Sequence, residues 1–212
     1  TPMADPEDLH ELMHLYFELE DPLERDALFE QIAASKSDET TEFLRSMLEH
    51  DEDAFVRASA AGELAQRGDE AGLKALFEDL QDPEEPYFFE NAVLELSKLL
   101  GPAFYDQLLP VWKNPEAAMY QRIGAMEAME QLDSPRALKE WQQYIENIKG
   151  AEDFSDELVE VAILAFVRHD RKEALASLVS LQQRLNLWFD DIDEQQELAA
   201  LIDEGIALLS EE

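Results

Sequence analysis

Arg25, Arg57 and Arg122 each open the same short pattern, and their spacing limits the possible folds of this chain more than any other feature. Leu23-Glu24-Arg25 is followed by Phe29 and Ile32, Phe55-Val56-Arg57 by Ala61 and Leu64, and Tyr120-Gln121-Arg122 by Met126 and Met129. Offsets of four and seven put these apolar residues on one face of a helix. Arg57 follows Arg25 by 32 residues and Arg122 follows Arg57 by 65, close to one and two steps of a common period. A period of this size marks an array of stacked repeats.

Helix-start signals recur with the same rhythm. Asp21-Pro22, Asp51 with Asp53, Asp82-Pro83 and Asn114-Pro115 each place a capping side chain near a residue suited to a first turn. Steps between Asp21, Asp51, Asp82 and Asn114 are 30, 31 and 32 residues. A further start at Ser155-Asp156-Glu157 follows a longer loop. The helical pairs predicted are 22–34 with 38–49, 53–67 with 70–80, 85–100 with 102–113, 115–131 with 135–148, and 155–168 with 171–185. Helices at 6–19 and 194–210 would cap the ends, the latter starting at Asp193 with Gln196 three residues on.

The segment from Asp53 to Leu64, followed by Gly68-Asp69-Glu70-Ala71, Leu73, Leu76, Leu80 and Asp82, resembles a HEAT repeat. Such repeats read as an acidic start, V-R-x-x-A, a Leu, a Gly-Asp turn and a Leu-rich second helix. Units near 21–49 and 114–148 keep the Arg and the spacing but lose the Gly-Asp turn. The unit near 83–113 has Phe89 in place of the Arg and Pro110 inside its second helix, and the fifth pair matches in spacing alone. The resemblance implies an all-α, right-handed α-solenoid of about five HEAT-like pairs with capping helices. It also implies a mostly protein-binding role and no enzyme. The expected layout is one domain over 1–212, with a capping helix in 1–20, helical pairs in 21–185, and an acidic turn with a closing helix in 186–212.

With 50 acidic against 16 basic residues and a net charge of −34, nearly every face must be negative. Direct nucleic-acid binding is disfavoured, because phosphate contacts rely on Lys and Arg. Anionic lipid is disfavoured for the same reason, whereas basic protein partners would be steered inward. The absence of Cys excludes disulfides and thiolate chemistry. No stretch reaches the roughly 18–20 apolar residues of a membrane span, and Thr1-Pro2-Met3-Ala4-Asp5 carries no export signal. A cytoplasmic location is expected.

His10-Glu11-Leu12-Met13-His14 is a literal H-E-x-x-H, which on a helix could bring two imidazoles to one Zn²⁺ with the Glu acting on bound water. Against a metal site at His10 and His14 stand Asp8, the lack of an identifiable third ligand and the lack of a visible strand to bind substrate. The amphipathic reading puts Leu9, Leu12, Met13, Tyr16 and Leu19 inward and His10, His14 and Glu18 outward. Neither a metal nor another cofactor is expected.

Aromatic and acidic residues supply the candidate partner contacts. Tyr87-Phe88-Phe89 cannot all point inward on one helix. Leu138, Trp141, Ile145 and Ile148 share a core face, with Tyr144 at its margin. Tyr87, Phe88, Tyr105, Trp112, Tyr144 and Trp188, with Asp190 and Asp191 beside the last, are the candidate surface for a Lys/Arg-rich segment, combining steering with cation–π contact. Second helices of the pairs are expected to line the binding face. The resulting reading is a non-catalytic, acidic scaffold for a locally basic protein. The alternatives are a nucleic-acid mimic that inhibits a DNA- or RNA-binding protein and a metalloprotein centred on His10 and His14. The periodic arginines are expected to pair with acidic groups between repeats.

Overall fold

The computed structural model describes residues 6–81, 85–150, 153–185 and 192–210. The regular structure among them is entirely helical: α1 (Pro6–Glu18), α2 (Pro22–Ala33), α3 (Asp38–His50), α4 (Ala54–Gln66), α5 (Glu70–Gln81), α6 (Pro86–Leu100), α7 (Tyr105–Lys113), α8 (Met119–Asn147), α9 (Asp156–Arg168), α10 (Leu175–Leu185) and α11 (Ile192–Ser210). Short 3-10 turns precede α7 and α10. None of the helices among the described residues is long and apolar enough to cross a membrane. The helices gather into two compact units, one ending at Gly101 and the other beginning at Pro102.

Side-chain caps set many of the helix starts. Asp21 Oδ1 accepts the Leu23 N–H at 2.9 Å, with Pro22 in the first turn of α2. Asp53 accepts from Phe55 N–H at 2.9 Å, and Ser155 Oγ from Leu158 N–H at 3.3 Å. Each of these bonds satisfies one of the donors that a helix N-terminus leaves unpaired. Asp51 and Asn114 act one turn earlier than their spacing suggests. They close α3 and α7 and accept from the amides of Asp53 and Glu116, so the next helices begin at Ala54 and Met119. The Asp82 start lies outside the described residues, as do the side chains of Asp193 and Gln196.

The fourth predicted pair is one helical stretch broken at Asp133, whose φ of −155° and ψ of 80° are not helical. Pro135 lacks the N–H that would carry the helix ladder through and suits the first turn of a new helix, where Asp133 Oδ1 accepts from Arg136 N–H at 3.3 Å. The break at 132–134 is therefore where the sequence places it.

In the unit ending at Gly101, α1 buries Leu9, Met13 and Tyr16 against α2 and α3, where Ile32 and Leu44 are fully buried. Tyr16 sets its edge against Phe43 at 5.5 Å. Helix α4 lies against α3, α5 and α6 and accordingly buries Ala58, Ala60, Ala61, Leu64 and Ala65 around most of its circumference. Full burial of a Leu such as Leu64 contributes about 1.5–3 kcal/mol. The small alanines let neighbouring helices approach closely, most of all at Gly72 of α5. A Cβ there would lie 2.6 Å from the Ala61 carbonyl oxygen.

In the unit beginning at Pro102, α7 packs on α8, and α10 and α11 cover α8 and α9. Trp141, Phe166, Leu178 and Leu181 are fully buried at its centre. The expected core face of Leu138, Trp141, Ile145 and Ile148 is buried throughout. Together the two units make the fold all-α and built from helical pairs.

Candidate functional site

The predicted aromatic anchors divide sharply by burial. Tyr87 is 41% exposed, but Phe88, Tyr105 and Trp112 are core residues at 6%, 1% and 4%. Spacing along α7 puts Tyr105 and Trp112 on the stripe that faces α8. Trp112 meets Trp141 at 4.8 Å and Tyr144 at 5.6 Å, and Arg136 of α8 lies 3.9 Å over the Tyr105 ring. Tyr144 is half-buried at the margin of this cluster. Burial, aided by the Glu140 charge, pushes the Tyr105 hydroxyl up to about 12, and burial does the same to Tyr144. Phe88, Tyr105 and Trp112 therefore hold the helices together and leave no ring surface for a partner. Trp188, Asp190 and Asp191 lie outside the described residues.

The H-E-x-x-H residues behave as a solvated helix face. His10 Nδ1 lies 3.0 Å from Glu39 and His14 Nδ1 3.5 Å from Glu18, so each imidazole has its own carboxylate. Among the described residues no group of three His, Asp or Glu side chains is arranged to hold a metal ion. His169 pairs with the buried Glu130 at 2.8 Å, where Arg168 also donates at 2.5 Å.

The periodic arginines have structural partners, but mostly not the acidic ones expected. Arg25 reaches Asp51 at 3.7 Å and stacks over Tyr16. Arg57 instead donates to the carbonyls of Asp51 and Glu52 at 2.9 and 3.2 Å. Arg122 donates to the Trp112 carbonyl at 3.3 Å while lying over its ring. The carbonyls ending a helix lack intrahelical donors and carry partial negative charge, so they compete well with carboxylates for a guanidinium. Arg67 does the same one repeat away, donating to Ala33 and to Ser35, and Arg184 donates to Ile148 and Ile145.

One concave feature lies on the first helices of the pairs, where the expectation put the binding face on the second helices. A groove of about 560 Å³ runs over α2, α4 and α6. Pro22, Asp26, Phe29 and Glu30 line one side, and Tyr87, Asn91 and Glu95 the other. These sets recur at three- and four-residue intervals, so each is one stripe of its helix. Between them α4 presents Ser59 and Gly62, too small to fill the space, and a Cβ on Gly62 would come within 3.1 Å of Glu95 Cγ. Five carboxylates line the groove and no Lys or Arg does. Glu63 is paired with Arg67 and Glu95 with Lys98, each at 2.6 Å. Asp26 and Glu30 are exposed and have no cationic partner among the described residues. At the mouth, Phe55 is 50% exposed and its ring centroid lies 4.8 Å from that of Tyr87. Phe55 immediately precedes the V-R-x-x-A segment. It lies three positions before the buried Ala58 and so on the same side of the helix, and periodicity therefore gives no signal of its exposure.

The family model for HEAT repeats matches residues 9–97, a span that contains the whole groove. No curated protein shows a significant match to the chain. HEAT repeats commonly serve as protein-interaction scaffolds and are typically not enzymes. Residues 9–97 are thus similar to HEAT repeats, in line with the resemblance carried by the segment from Asp53 to Asp82.

Proposed function

We propose that the protein is a non-catalytic interaction module that binds another protein through a Lys/Arg-rich surface or segment of that partner. The observation that carries this reading is how the chain uses its own cations. Each of its nine arginines is engaged internally, with a carboxylate, a helix-terminal carbonyl or an aromatic face. The surplus of acidic groups, 50 against 16, is thereby left to the surface, where it attracts basic partners and speeds their encounter. The test is binding to an array of peptides graded in net charge, read at low and at high salt. Signal should rise with positive charge and fall steeply as salt is added. A signal that does not depend on peptide charge would exclude the reading.

A further inference from the structure

We propose that the groove over α2, α4 and α6 is the docking channel for a short basic segment of the partner. One cationic side chain would sit on the Phe55–Tyr87 ring pair and its neighbours against Asp26 and Glu30. The inference rests on the basic-partner reading and adds a place and a mode to it.

Charge complementarity is the first argument. Within the groove, Glu63 and Glu95 already hold Arg67 and Lys98, and Asp53 spends an oxygen on the α4 N-terminus. Asp26 and Glu30 line the channel without a cationic partner among the described residues, and no lining residue is basic. The second argument is the ring pair. Phe55 and Tyr87 are both large and both substantially exposed, and they are tilted at 55° to each other. Such faces attract Lys or Arg within about 6 Å of a ring centroid, and the effect strengthens as the site is desolvated. The channel and the rings therefore select the same class of side chain by two independent means.

The length of the α2 wall limits the length of the segment. From Pro22 to Glu30 the α2 wall rises about 12 Å, at about 1.5 Å per residue. That is the reach of about four extended residues.

The probe is a short labelled peptide of alternating Lys and Arg, titrated by fluorescence anisotropy at low salt into the intact chain and three double variants. Asp26→Asn with Glu30→Gln removes the free charges. Phe55→Leu with Tyr87→Leu keeps apolar bulk but removes the ring faces. Glu116→Gln with Glu160→Gln removes two exposed charges that do not line the groove and serves as the control. Each groove variant should weaken binding about fivefold or more, and the control less than about twofold. Thermal unfolding confirms that each variant is folded. If the groove variants match the control, or if the leucine pair binds like the parent, the channel is wrong while the basic-partner reading stands. If the parent chain fails to bind the peptide at all, the basic-partner reading itself fails.

Discussion

Two helical glycines show how close contact, and not residue type, decides the effect of a substitution. At Gly72 a Cβ would lie 2.5 Å from Leu64 Cβ and 2.6 Å from both the Ala61 carbonyl oxygen and the Ala65 nitrogen. Backbone atoms cannot step aside, so Gly72→Ala must push α5 off α4. Overpacking of this kind costs about 1–3 kcal/mol and more where backbone is struck, against about 1 kcal/mol gained in helix propensity. A net loss of about 2 kcal/mol is expected for G72A in urea denaturation. At Gly62 the nearest atom is Glu95 Cγ at 3.1 Å, part of a flexible side chain that can move a few tenths of an ångström. G62A should therefore be neutral or up to about 1 kcal/mol more stable, while raising the floor of the groove. If G72A is as stable as the parent, the close approach of α4 and α5 is not as tight as described.

At the scale of the element, the same helix ending occurs twice with different residues at its critical position. After α4, Gly68 N–H bonds to the Ala65 carbonyl and Asp69 N–H to the Leu64 carbonyl, with Gly68 at φ +75°. After α9, Asp170 N–H bonds to Val167 and Arg171 N–H to Phe166, with Asp170 at φ +47°. Both are Schellman endings, which need a left-handed residue. Asp tolerates that conformation at a cost that Gly does not incur. Asp170→Gly should raise stability and Gly68→Ala should lower it, each by about 1 kcal/mol, as read from denaturant midpoints. A destabilising D170G would mean that the Asp170 side chain contributes more than the strain costs. The recurrence also shows what the sequence could reveal. Helix starts at Asp21, Asp53 and Ser155 and the break before Pro135 were legible, because each follows from one side chain and its own backbone. The fifth pair matched in spacing alone because its first helix lacks the V-R-x-x-A pattern and its ending uses Asp170 where the family pattern has Gly. The groove was not legible, since it depends on Ser59 and Gly62 leaving room between α2 and α6. Periodicity assigns Tyr105, Trp112 and Phe88 to a stripe but cannot say whether that stripe meets water or the next helix.

For the molecule as a whole, the net charge of −34 makes folding and binding respond to salt in opposite senses. Compacting the chain brings like charges together, and this repulsion destabilises the folded state. Several internal ion pairs work against it. Arg45 with Asp69 and Arg136 with Asp106 are examples, at 2.6 and 2.8 Å, but both arginines are about half exposed, and exposed pairs contribute little. The hydrogen bonds of Arg67 and Arg184 to helix-terminal carbonyls are part-buried and less screened. Repulsion therefore outweighs the salt-sensitive attractions. Between about 0.01 and 0.1 M NaCl the screening length falls from about 30 to about 10 Å. The melting temperature should rise by several degrees over that range, since about 1 kcal/mol corresponds to about 2–4 °C for a chain of this size. Over the same range, affinity for a Lys/Arg peptide should fall, because attraction between unlike charges is screened by the same ions. Calorimetric scans and peptide titrations in one salt series measure both slopes. A melting temperature that falls with added NaCl would show that the arginine network, and not the acidic surplus, dominates the electrostatics of the folded chain.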